Sequence, residues 1–99
     1  MESKSSDQKA LLQRKIEDDT KILETKLFQI GEIPLLVERW SGDGVRGNSA
    51  VFLTSHASEM TDDALRRFLT EQAGIDLSGS TTISRNDTHT FVNFGFDAT

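Results

Sequence analysis

Apolar residues recur every three or four positions after Thr61-Asp62-Asp63: Leu65, Phe68, Leu69 and Ala73. That spacing predicts a helix with one buried stripe, and it leaves Arg66, Arg67 and Glu71 toward water. Thr61 supplies a capping hydroxyl, and two carboxylates follow in the positively polarised first turn. Gly74 marks the stop, since glycine enters the left-handed cap without strain, and Ile75 folds back against the helix. The period then changes to two. Segments 80–85 and 88–96 read as strands joined by Asn86-Asp87, residue types that suit a tight turn. Val92, Phe94 and Phe96 are expected on the core side of the last strand, with His89, Phe91, Asn93 and Gly95 on the other.

The pattern upstream is less regular. Leu12, Ile16, Leu23 and Leu27 fall on one helical stripe, with Leu11 and Ile22 on its shoulder, interrupted at Asp19-Thr20. Ser5 with Gln8 fits a capping box. This predicts an N-terminal helix over residues 6–28, after a disordered start at 1–5. A competing reading has Phe28-Gln29-Ile30 and Ile33 as the arms of a hairpin, with Gly31 first in its turn. Segments 34–40 and 49–55 are strand-like. Leu35-Leu36-Val37 and Ala50-Val51-Phe52-Leu53 are unbroken apolar runs, which implies cover on both faces. The glycine-rich stretch 41–48 reads as an open, mobile loop. The expected fold is α+β: an N-terminal helix and one central helix packed on an antiparallel sheet of about four strands, in a single domain over residues 6–99.

Composition narrows the class. The 99 residues suit one domain, and the formal net charge of −5 argues against a phosphate-binding surface. Cysteine is absent, which removes disulfides and thiolate chemistry. No apolar run approaches the roughly 20 residues of a membrane span. Met1-Glu2-Ser3-Lys4 leads into polar residues instead of a signal-peptide core. A soluble, cytoplasmic protein without a membrane partner is expected.

Chemical motifs are few. Gly42-Asp43-Gly44-Val45-Arg46-Gly47 satisfies G-x-G-x-x-G, but a dinucleotide loop must open a helix and here a strand follows. A hairpin loop without nucleotide is the expected reading. His56 and His89 lack metal-ligand spacing. Asp62-Asp63 answers the helix dipole, and Glu17-Asp18-Asp19 reads as a solvated face. Asn86-Asp87-Thr88 forms a glycosylation sequon, which has no meaning without a secretory signal. No serine sits in a nucleophile motif. No enzyme, cofactor, metal or small-molecule substrate is expected.

Two binding functions remain. The first is a non-catalytic protein-interaction module, a dimeric adaptor or chaperone-like protein. It would meet a protein partner or a second copy through Leu11, Leu12, Ile16, Ile22 and Leu23 of the N-terminal helix. The second rests on Phe91, an aromatic on the strand face opposite the core set, where RNA-recognition sheets stack bases. The competing reading is that the N-terminal helix covers it. Ala73-Gly74-Ile75, Ile83 and Phe91-Val92-Asn93-Phe94 match in type, order and approximate spacing a pattern of one family. Over residues 62–94 the chain resembles the small RNA-binding domain at the C-terminus of some DEAD-box RNA helicases. That resemblance implies an RRM-like sandwich and structured-RNA binding, with Arg85, His89, Phe91 and Asn93 as the candidate RNA-binding residues. In place of the family's basic residues before the helix, this chain has Thr61-Asp62-Asp63.

Overall fold

Two tight turns organise the first half of the chain in the computed structural model, which describes residues 6–98. Asp43 and Gly44 both hold positive φ, 53° and 77°, between the paired residues Gly42 and Val45. Positive φ at both central positions is what a type I′ hairpin turn requires, and Asp-Gly is among its preferred pairs. Gly31, at φ 59°, opens a second two-residue turn between Ile30 and Ile33. The strands β1 (Thr20–Ile30), β2 (Ile33–Gly42) and β3 (Val45–Leu53) therefore form a continuous antiparallel meander.

This corrects two expectations. The stretch 41–48 is not an open loop: the strands run through it to a two-residue turn. Its glycines are structural. A Cβ on Gly42 would lie 2.7 Å from the Asp19 carbonyl, and one on Gly47 would lie 2.7 Å from the Trp40 ring. The helix expected over 6–28 is likewise confined to α1 (Ser6–Leu12), and residues 20–30 form a strand. The register shifts between Ile22 and Glu24, so Leu23 is an extra residue in β1. A bulge of this kind breaks the two-residue alternation and lets an edge strand imitate helical spacing. The expected start at 1–5 lies outside the described residues.

The second half follows the sequence closely. After the short α2 (Thr54–Ala57), α3 (Asp62–Glu71) begins with the Thr61 hydroxyl accepting from the Ala64 N–H at 3.1 Å. Beyond it Gly74 holds φ 68°, and the Ile75 N–H returns to the Leu69 carbonyl at 2.9 Å. Strands β4 (Thr81–Arg85) and β5 (His89–Ala98) are joined through Asn86, whose side-chain oxygen accepts from the Thr88 and His89 N–H groups. The five strands are ordered β1-β2-β3-β5-β4 and every pair is antiparallel, so β1 and β4 are the edges.

Both faces of the sheet are used. On one, Leu35, Ala50, Phe52, Val92 and Phe94 pack against Ala57, Leu65 and Leu69 of α2 and α3. On the other, Leu36, Val51 and Leu53 pack against Leu11 of α1. The apolar runs of β2 and β3 thus supply both cores. Phe96 departs from the expected alternation. Gly95 adopts φ 65° where the β3–β5 register shifts, and Phe96 lies against Trp40 instead of joining Phe94. No helix among the described residues is long and apolar enough to cross a membrane.

Candidate functional site

The short α1 covers only part of its face of the sheet. It is held by contacts along its length, among them Asp7 Oδ2 3.4 Å from His56 Nε2. Leu11 is fully buried. The Ala10 carbonyl faces His89 Nε2 at 2.9 Å. A carbonyl can only accept, so Nε2 carries a proton, while Nδ1 lies 2.8 Å from the Thr88 hydroxyl. Beyond the helix, Arg14 Nε and Nη2 lie 2.9 and 2.8 Å from one carboxylate oxygen of Glu38, and Nη1 donates to the Leu12 carbonyl at 2.7 Å. Glu38 is almost fully buried, so losing Arg14 would strand a charge in the sheet.

Next to this anchored end the face opens into a depression of about 350 Å³. Lys15, Ile16 and Glu17, leading from α1 toward β1, form one wall; Ser84 and Asn86 stand opposite. The floor comes from four strands. Ile22 pairs with Trp40, Ser49 with Asn93, and Phe91 lies one step along β5 on the same face. A chain of hydrogen bonds crosses it. Trp40 Nε1 donates to Ser49 Oγ at 2.9 Å, Ser49 Oγ donates to Asn93 Oδ1 at 2.6 Å, and Asn93 Nδ2 donates to Thr82 Oγ1 at 3.2 Å. These floor groups are therefore paired within the protein, which is what a buried polar group needs when water leaves. Phe96 meets the Trp40 ring edge-on, with centroids 6.3 Å apart. Ile16 and Phe96 are each about 40% exposed, at 40% and 41%. The depression thus sets the apolar Ile16, Ile22, Trp40 and Phe91 beside a bonded chain of polar groups, with Phe96 bracing the outer edge of Trp40.

The structure separates the residues expected to bind a partner. Leu11 and the half-buried Leu12 belong to the α1 core, so they are not a free surface. Ile16 and Ile22 do meet, at the depression, but from a linker and a strand. Leu23 stands exposed on β1. Among the candidate RNA-binding residues, Phe91 and Asn93 share the floor. His89 is buried beneath α1, stacked on Phe91. Arg85 is turned away: its guanidinium donates to the Ala57 and Met60 carbonyls at 3.0 and 2.8 Å and to Asp62 at 3.0 Å. These contacts fasten β4 to the connection between α2 and α3. Trp40 and Ser49 were absent from both expected sets. Period two along β2 aligns Leu36, Glu38 and Trp40 and would have found the indole; Ser49 needed the cross-strand register.

Among the described residues no group of three His, Asp or Glu side chains is placed to hold a metal ion. No family model, curated protein or solved structure matches the chain.

Proposed function

We propose that this chain is a non-catalytic protein-interaction module, adaptor- or chaperone-like, that takes a bulky apolar side chain of a partner polypeptide into the depression beside α1. The observation that carries this reading is the meeting of four apolar side chains in the lining, Ile16, Ile22, Trp40 and Phe91, with polar groups that already bond to one another. An anchor entering there would displace water without breaking the chain that links Trp40, Ser49, Asn93 and Thr82, the setting in which single aromatic or aliphatic anchors dominate binding. The net charge of −5 favours a segment with basic residues beside its anchor. It also opposes RNA, and the guanidinium of Arg85 is already engaged by three oxygens.

The test is selection from a random peptide display library on the wild-type protein, followed by titration of the selected peptides against Ile22→Glu. Selected sequences should share an aromatic or long aliphatic residue near Lys or Arg. The variant should bind them about tenfold more weakly or worse, equivalent to ~1.4 kcal/mol or more. Single-stranded and hairpin RNAs, titrated in parallel, should give no saturable binding. Saturable RNA binding lost in Ile22→Glu, or peptides indifferent to that substitution, would refute the assignment.

A further inference from the structure

β1 is an eleven-residue edge strand, and on its outer side it has no strand neighbour among the described residues. The hairpin fixes what that edge offers. Ile30 and Ile33 flank a two-residue turn, so they form the hydrogen-bonded closing pair. Antiparallel alternation then directs the peptide groups of Phe28 and Lys26 toward β2, and those of Gln29, Leu27 and Thr25 outward. Leu23 and Phe28 are 44% and 37% exposed on this strand.

The sequence along the edge is Leu23-Glu24-Thr25-Lys26-Leu27, which is self-complementary about Thr25. Suppose two copies pair antiparallel with Thr25 opposite Thr25. Each Glu24 then opposes the other copy's Lys26, and the bulged Leu23 lies at the end of this regular stretch, near the other copy's Leu27. Glu24 and Lys26 pair with Arg39 and Val37 in β2, two residues apart, so they share a face and can meet their counterparts across the axis. Thr25 is also one of the residues whose N–H and C=O point outward, so the axial pair would exchange both hydrogen bonds. Registers centred on Glu24 or Lys26 would instead oppose like charges.

We propose that β1 is a two-fold interface with a second copy of this chain, joining two five-stranded sheets into one of ten. Within one chain Glu24 already lies 3.5 Å from Lys26 and 3.8 Å from Arg39, but all three side chains are largely exposed. Trading such pairs for cross-copy ones costs little. Two-fold pairing is closed, so it consumes the long edge of each copy and ends there. Its axis runs perpendicular to the sheet, which places both depressions on the same side of the joined sheet. This interface uses residues distinct from the proposed peptide site and stands independently of it.

Sedimentation equilibrium over a wide concentration range tests the interface. The wild-type mass should rise from 11.0 kDa toward twice that value. Glu24→Lys and Lys26→Glu should each weaken dimerisation severalfold, and the double swap should restore it. Thr25→Pro removes an outward N–H and should leave a folded monomer. Should that variant not fold, the charge swap decides alone. A wild-type monomer at every concentration overturns the interface, and so does a dimer indifferent to the single charge changes.

Discussion

Gly47 shows how much of the site depends on one missing side chain. It is buried beneath Trp40 and Phe96; a Cβ there would lie 2.7 Å from Trp40 Cζ2 and 3.2 Å from Phe96 Cδ1. The nearer ring cannot retreat freely, because Trp40 is tethered to Ser49. Gly47→Ala should therefore destabilise the protein by roughly 1–3 kcal/mol, the usual range for overpacking. It should also move the emission of Trp40, the sole tryptophan, in the folded state. Denaturant titration followed by fluorescence reads both. Unchanged stability and emission would mean the indole is not seated as described. The motif around Gly47 reads as a hairpin loop without nucleotide, which leaves this glycine unexplained; its reason is the ring above it, which appears only once β2 and β3 are in register.

Individual elements were legible to very different degrees. α3 carried its own start and stop in Thr61, Asp62, Asp63 and Gly74, and its apolar stripe did not depend on distant partners. The paired apolar runs of β2 and β3 announced a sheet covered on both faces. β1 was misread because the bulge at Leu23 and the solvent exposure of an edge strand together erase period two. The Asp43-Gly44 turn was readable locally, yet the surrounding glycines made it look like a loop. α1 spans seven residues, too few for a helix to persist in water unaided. Its order must come from docking, through Leu11, Ala10, Arg14 and the Asp7–His56 contact among others. Leu11→Ala should accordingly cost about 2–5 kcal/mol, and hydrogen exchange should show α1 losing protection while α3 retains it. Protection of α1 that survives the substitution would contradict docking in cis.

At the scale of the molecule, one sheet serves two cores of unequal reach. α2 and α3 back one face, whereas α1 shields only the end of the other that holds Leu36, Val51 and Leu53. The uncovered half combines Ile16, Ile22, Trp40 and Phe91 with paired polar groups, and this asymmetry is the basis of the proposed function. The candidate site was only half legible in the sequence. Ile16, Ile22, Phe91 and Asn93 stood out, but as members of two different surfaces. What unites them is the antiparallel order β1-β2-β3-β5, a set of long-range pairings no local pattern encodes. Trp40 lies within that union and reports on it directly. The decisive measurement is its emission during titration with a selected apolar-anchor peptide. A saturable shift to shorter wavelength, lost in Ile22→Glu, is the expected result; binding that saturates by calorimetry while Trp40 emission stays unchanged would place the partner elsewhere and contradict the proposed site.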